Sequence, residues 1–372
     1  MKDASHNWYA LQSTDDVVSP ALLVYPERIR KNIHLMIDMI GDEKRLRPHI
    51  KTHKTAEIIR MQIELGIEKF KCATIAEAEL LAMCGAGDVL LALQPVGVNI
   101  SRFGQLIRAF PSTQFSTLVD CEAVVGELSA LAENSSVIIP VFLDLNTGMD
   151  RTGIEVGEKA IQIYRAICDA PGLEAKGLHN YDGHIRHPDP EKRRQACNNA
   201  FDKVLALKTE LEKEQMNVQV VIAGGTPTFP IHSQRDGVEA SPGTTLLWDA
   251  RYDSLFNDLK FHQAAILFCR IISKPNKDLL CLDLGHKAIA PEMDFPRVKL
   301  FGLEHCEQIS QSEEHLVVRC GDTSSHAVGD PVYAIPMHIC PTVAKYPRLM
   351  VVDKGVITDT WEVAARNYKI TI

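Results

Sequence analysis

Apolar residues along this chain recur at two spacings, and the point where one gives way to the other divides it. From about residue 21 to 250, short apolar runs alternate with stretches whose apolar residues fall at helical intervals. The strand candidates are 45–51, 69–74, 89–94, 114–119, 137–146, 172–181, 218–224 and 238–247. Between them, residues 55–65 (TAEIIRMQIEL) carry a helical apolar stripe, and residues 76–83 (AEAELLAM) are strong helix formers. Residues 188–214 form a long, charged, helix-favouring run. Eight strands interleaved with helices predict a parallel (β/α)8 TIM-like barrel rather than an open sheet.

After Tyr252 the helical period fades. Short β-branched runs follow at 265–272, 279–284, 316–319, 332–335, 349–352 and 356–360. Turn formers such as Lys274-Pro275-Asn276 and Asp353-Lys354-Gly355 separate them. The chain therefore reads as α/β: a barrel over 21–250 and a smaller C-terminal all-β domain over 251–372. Residues 1–20, without a clear pattern, are candidates to pack on the β domain.

Composition narrows the function classes. The 372 residues are 45% hydrophobic and 24% charged, ordinary for a globular protein. A net charge of −8 speaks against general nucleic-acid binding, which needs a basic surface. No apolar run approaches the roughly 20 residues that span a bilayer. The opening Met1-Lys2-Asp3-Ala4-Ser5-His6 lacks an apolar signal core. Ten cysteines with no Cys-x-x-Cys pair fit reduced thiols and a cytoplasmic location better than a disulfide framework.

Several segments carry residue types suited to chemistry. Arg47-Pro48-His49-Ile50-Lys51-Thr52-His53-Lys54 runs from a predicted strand into a polar turn. Cationic and cationisable neighbours crowd Lys51 and favour its free amine, the form that attacks a carbonyl to make a Schiff base. A solvated basic loop is the competing reading of this run on its own. On a strand, His49 and Lys51 share a face, so both are expected at the barrel mouth, where such barrels keep their functional groups. The fifth strand leads into Asp144-Leu145-Asn146-Thr147-Gly148-Met149-Asp150-Arg151, placing Arg151 to donate to an anionic oxygen or to form a loop salt bridge. The sixth ends in Gly177-Leu178-His179-Asn180-Tyr181-Asp182-Gly183-His184, where Tyr181 suits either a cofactor contact or a core role.

The seventh and eighth strands bring Ala223-Gly224-Gly225-Thr226-Pro227-Thr228 and Ser241-Pro242-Gly243-Thr244-Thr245. Glycine amides and threonine hydroxyls in these two turns predict a phosphate site. In the β domain, Pro336-Met337-His338-Ile339-Cys340 puts His338 and Cys340 on one face of an expected strand. Imidazole with thiolate favours zinc, whereas a buried cysteine beside a satisfied histidine needs no metal at all. His305 and His326 are further candidates with no spacing argument behind them.

Taken together these segments resemble the D-threonine aldolase and D-serine dehydratase family, which has the alanine-racemase-like barrel. The match rests on RPHIKTHK (47–54), DLNTGMDRTG (144–153), GLHNYDGH (177–184), AGGTPT (223–228), SPGTTLLWD (241–249) and PMHICPT (336–342), in the family's order over nearly the whole chain. The resemblance implies that Lys51 binds pyridoxal 5'-phosphate, that Arg151 and Tyr181 contact it, and that Gly224, Gly225 and Thr226 cup its phosphate. It implies that His338 and Cys340 hold a divalent metal. Family aldolases can carry His-x-Asp with manganese-type metals, while dehydratases typically show His-x-Cys with zinc. The His-Ile-Cys here points to zinc, with manganese the alternative.

The activity implied is a metal-assisted lyase on D-β-hydroxy-α-amino acids. In the D-threonine aldolase type, a base such as His53 or His184 takes the hydroxyl proton and glycine plus an aldehyde result. In the D-serine dehydratase type, Lys51 takes the Cα proton and a keto acid plus ammonia result. A racemase would need no metal, and a non-catalytic pyridoxal-phosphate carrier would be a single domain. The family resemblance also implies a homodimer.

Overall fold

The computed structural model describes residues 7–372; residues 1–6, read above as lacking a signal core, lie outside the described residues. Contacts divide the chain into two units. One comprises residues 35–51, 59–243 and 367–372; the other comprises the chain up to His34 with residues 52–58 and 244–366. The division differs from a single cut near residue 250. Residues 21–34, 52–58 and 244–250 group with the β-rich unit.

In the first unit seven parallel strands follow one another in space as in sequence: Lys69–Cys72, Asp88–Leu91, Gln114–Val119, Ile139–Asn146, Leu173–Asn180, Val220–Ala223 and Val238–Ala240. The helices Ile75–Met83, Val98–Ala109, Glu122–Ser135, Glu158–Asp169 and Pro190–Lys213 connect them. Local chemistry sets the helix starts. Thr74 Oγ1 accepts the Glu77 N–H, and Glu77 reaches back to the Ala73 N–H, a reciprocal cap. Asp189 accepts from Glu191 and Lys192 ahead of Pro190, which costs the first turn no hydrogen bond. Leu90, Leu118, Phe142 and Ile222, one from each of four strands, fill the barrel interior.

The first predicted strand is where the expectation fails. Residues 45–51 do not form a strand. Tight helical turns at Glu43–Arg45 and Ile50–Thr52 flank the segment, and Pro48 has no N–H for a ladder. Single bridges, Leu46 to Ala240 and His49 to Lys71, still close the ring. Three hydrogen bonds reinforce them: Arg47 N–H to Ala240 O, His49 N–H to Pro242 O and Lys71 N–H to Pro48 O, each 2.9 Å.

Arg47 supplies what the ladder lacks. Its side chain is 2% exposed. The guanidinium grips both oxygens of Asp88 (2.7 and 2.8 Å), and its Nε donates to Glu239 (2.7 Å). Lys69 also pairs with Glu239. One cation thus ties the irregular segment to Val238–Ala240 on one side and, past Lys69–Cys72, to Asp88–Leu91 on the other.

The second unit is a nine-stranded mixed sheet. Its long strand Ala265–Asn276 pairs antiparallel with Ala21–Val24, Leu279–Leu282 and Pro331–Pro336. Ala21–Val24 also runs parallel to Arg348–Asp353. This β unit is therefore not purely C-terminal: ALLV, buried throughout, is one of its inner strands. Leu23, Tyr25, Ile266, Phe268 and Ile335 form its core, and Tyr9 of the opening segment stacks on Phe301 with centroids 4.0 Å apart.

Two strands, Val298–Leu300 and Glu307–Gln311, have no counterpart in the apolar pattern. Cys306 and Cys320 form a disulfide, which corrects the expectation that all the thiols are reduced; the other eight cysteines are not in disulfides. His305 adjoins that disulfide, and His326 gives its carbonyl to Lys274 (2.6 Å). Among the described residues no helix is long and apolar enough to cross a membrane.

Replacing Arg47 by Ala takes the bidentate partner from Asp88 and leaves Glu239 with Lys69 alone. We expect the variant to lose about 3–5 kcal/mol of stability in urea unfolding. Arg47→Lys, which cannot make the bidentate pair, should fall between the two. An unchanged midpoint for Arg47→Ala would show that the ring closes without the clamp.

Candidate active site

Each unit carries its own group of unusual side chains. In the barrel unit they gather on one ring. Tyr181 follows directly on the strand Leu173–Asn180. The Arg151 guanidinium carbon lies 4.9 Å from its ring centroid, Lys51 Nζ 5.4 Å and Lys71 Nζ 5.9 Å, all within cation–π range.

Arg151 arrives there on a tightly folded loop. Asn146 Oδ1 accepts the N–H groups of Gly148 and Asp150, and Asp120 accepts that of Gly153. Gly153 has φ +92°, and a Cβ there would stand 2.7 Å from the Leu145 backbone, so the loop can double back only on glycine.

The Gly224-Gly225 turn lies against the same tyrosine. A Cβ on Gly225 would come within 2.9 Å of Tyr181 Cε2. The expected amide donors, however, face inward. Gly224 N–H goes to Asn180 O (2.9 Å), Gly225 N–H to Thr228 Oγ1 (3.2 Å), and Gly243 N–H to Thr226 Oγ1 (3.2 Å). The glycines supply clearance rather than hydrogen bonds. His49 also departs from the expected alternation. It is buried, and its Nδ1 accepts the Lys51 N–H (3.2 Å), because Lys51 sits in a tight turn and not on a strand.

Beneath Tyr181 the barrel is polar. Asp144 pairs in register with His179, and His179 Nδ1 lies 2.6 Å from Asp144 Oδ1. Burial, and after it the Lys71 charge, push the His179 imidazole below its ordinary value. Burial works against the Asp144 carboxylate, but His179, Thr152 and Lys71 outweigh it and hold the group down. Asp144 is therefore the anion and His179 the neutral donor through Nδ1–H. Nε2 is left as a buried nitrogen with no hydrogen-bond partner among the described residues.

Lys71, 3% exposed, is the residue the sequence reading missed. Burial first, then the neighbouring Lys51, depress its amine to about 7; Asp144 and Asp182 restrain the fall. A lysine alternating with apolar residues inside a parallel strand (KFKC) was the available signal.

The predicted bases differ in character. His53, in the β-rich unit, is fully buried, and burial pushes it down to about 3, so it takes no proton near neutral pH. His184 is exposed, and its Nε2 would lie 3.0 Å from a Cβ on Gly148.

These barrel residues fit an aldehyde cofactor with a phosphate tail. The amine and the arginine flank an aromatic plate, the glycine hollow would be filled by any Cβ, and a bare imidazole nitrogen waits below. The geometry brings Lys51, Arg151, Tyr181, Gly224 and Gly225 together.

In the β-rich unit, His338 and Cys340 do not alternate on a strand. The strand Pro331–Pro336 ends before them; His338 caps the short helix Ile339–Val343 and Cys340 lies within it. They meet all the same, imidazole hydrogen-bonded to thiol. Burial opposes charge on His338, but Cys340 and Glu292 outweigh it and raise the imidazole to about 9. Burial likewise opposes the Cys340 thiolate, yet the His338 hydrogen bond and charge pull the thiol below its usual value.

Glu292 accepts from His338 Nδ1 at 2.6 Å, the carboxylate support typical of a metal-bound imidazole. Thr52 and Thr244 hydroxyls lie 3.1 and 3.6 Å from Cys340 Sγ. This donor set fits a zinc-like ion.

Two family models cover most of the chain. Residues 24–249 match the alanine racemase N-terminal domain, and residues 264–352 match a putative serine dehydratase domain. The chain belongs to the alanine racemase N-terminal domain family. A D-threonine aldolase of Arthrobacter sp. is 27% identical over 87% of this chain and 86% of its own length. A 3-hydroxy-D-aspartate aldolase of Paracoccus denitrificans (strain Pd 1222) is 26% identical over 95% and 93%. The crystal structure of D-threonine aldolase from Filomicrobium marinum superposes with a TM-score of 0.88 at 26% identity, covering 95% of this chain and 96% of that one.

The buried amine of Lys71 makes stability pH-dependent with a definite sign. Its proton is lost at about 7 in the folded chain and at 10.5 in the unfolded one. Between these values the unfolded chain holds more protons, so stability rises with pH, by up to ~1.4 kcal/mol per pH unit. Lys71→Met removes that rise. Urea unfolding of cofactor-free protein across the window should show the variant more stable at its lower end and the two converging at its upper end. Parallel profiles would refute the assignment.

Proposed function

We propose that this chain is a pyridoxal-phosphate-dependent, metal-assisted lyase acting on D-β-hydroxy-α-amino acids, of the D-threonine aldolase type. The observation that carries this is the gathering of the Lys51 amine and Arg151 guanidinium on the Tyr181 ring, against the Gly224-Gly225 turn.

Lys51 offers the nitrogen for covalent attachment and, when released, a free amine able to move the proton at Cα. Arg151 donates to an anionic ring oxygen, and Tyr181 backs the ring. Gly224 and Gly225 make room for the phosphate, with Thr226 and Gly243 beside it. Pyridoxal phosphate when bound supplies an electron sink for charge at Cα, and a divalent metal supplies a Lewis acid. His338 and Cys340 would hold that metal, zinc in preference to manganese because one donor is a thiol. Exposed His184, next to the Arg151 loop, is the base for the β-hydroxyl proton.

The dehydratase reading has its own support in the match of residues 264–352 and in the His-Ile-Cys donor pair. There Lys51 takes the Cα proton, the β-hydroxyl leaves as water, and hydrolysis ends in a keto acid and ammonia. Eight cysteines outside disulfides favour a cytoplasmic location, and the family resemblance favours a homodimer.

Two experiments test this. Protein mixed with pyridoxal phosphate should turn yellow, and borohydride should fix the label on the Lys51 peptide. Lys51→Ala should stay colourless; a colourless native protein would overturn the cofactor assignment. Second, D-threonine should yield acetaldehyde and glycine, and a chelator should abolish turnover while the yellow colour stays. Pyruvate and ammonia from D-serine, without acetaldehyde from D-threonine, would select the dehydratase instead. Full turnover in chelator would remove the metal from the reading.

A further inference from the structure

Behind the Gly224-Gly225 turn, in the barrel unit, lies a buried polar network that the reading above does not use. Thr228 Oγ1 accepts the Gly225 N–H (3.2 Å) and donates to Asp182 Oδ1 (2.7 Å). Asp182 Oδ2 takes the Nε2–H of His232 (2.8 Å), and the Cys197 thiol approaches the same oxygen at 3.7 Å. Thr228, Asp182, His232 and Cys197 are all buried. The turn is pressed directly onto this group: a Cβ on Gly224 would stand 2.5 Å from His232 Cδ2 and 3.0 Å from Thr228 Oγ1.

A buried carboxylate and a buried hydroxyl are costly unless satisfied, and here both are, while Nδ1 of His232 has no hydrogen-bond partner among the described residues. Here the carboxylate collects donors on both oxygens, and the hydroxyl passes that order to the Gly225 amide. The amide is thereby turned away from the cavity.

We propose that Thr228, Asp182 and His232 are positioning residues that brace the Gly224-Gly225 turn in the shape that receives the phosphate of the cofactor. The inference rests on the pyridoxal-phosphate reading and deepens it. The brace contacts no ligand. It acts through the backbone of residues 224–226 and should matter only for a ligand that carries a phosphate.

The test compares pyridoxal phosphate with pyridoxal, which has the same aldehyde and ring but no phosphate. Dissociation constants come from the visible absorbance of the lysine-bound cofactor. Wild type should prefer the phosphorylated form strongly. Thr228→Val should weaken pyridoxal phosphate about tenfold or more, the scale of a misplaced hydrogen-bonding group, while pyridoxal affinity stays the same. Thr228→Ser, which keeps the hydroxyl, should restore the preference. General damage to the fold would lower both affinities together, so equal losses overturn the proposal. An unchanged preference in Thr228→Val overturns it as well. Absence of any coloured adduct in wild type would instead overturn the cofactor reading itself.

Discussion

A single buried guanidinium clamps the irregular closure of this barrel. Proline at 48 and the tight turns on either side deny the first position a regular ladder. Arg47 replaces it with charge-assisted bonds to Asp88 and Glu239. Such a buried cluster contributes little net stability over an apolar core of the same volume, but it is intolerant of any other arrangement. The residues that follow inherit that intolerance. His49 folds back onto the Lys51 amide, and Lys51 sits in a helical turn at a defined distance from Tyr181.

The second constraint is electrostatic. Three cationic side chains crowd one aromatic ring, with Asp144 and Asp182 as the acidic groups facing Lys71. Burial first, and the Lys51 charge after it, depress the Lys71 amine. The glycines work alongside by subtraction. At Gly225 the missing Cβ lets backbone meet the tyrosine ring, and at Gly224 it lets backbone meet His232. Their amides satisfy the protein.

Much of this was legible before any coordinates. The strands at 69–72, 114–119, 139–146 and 173–180 follow apolar runs with turn formers at their ends, because strands in a parallel sheet are covered on both faces. The long helix Pro190–Lys213 announces itself by Asp189-Pro190 and its composition. Other features leave no local trace. Ala21–Val24 is apolar enough for a barrel strand, and only its pairing partners, Ala265–Asn276 and Arg348–Asp353, assign it to the β sheet. Nothing near Cys306 or Cys320 marks them as a pair. The strand Glu307–Gln311 is polar and carried by its neighbour Leu316–Arg319.

The amino-acid order alone determined the element sequence, the switch from helical to β-branched texture, and the residue types at each strand end. These depend on interactions within a few residues: periodicity, caps and turns. Tertiary structure decided which way the side chains and amides face. It turned the Gly224 and Gly225 N–H groups inward, drove Lys71 into the barrel beside Lys51, left His179 with a bare nitrogen, and set His338 on Cys340 from a helix start rather than a strand. Orientation and protonation depend on burial and on charges far away in sequence, and those exist only once the chain has closed.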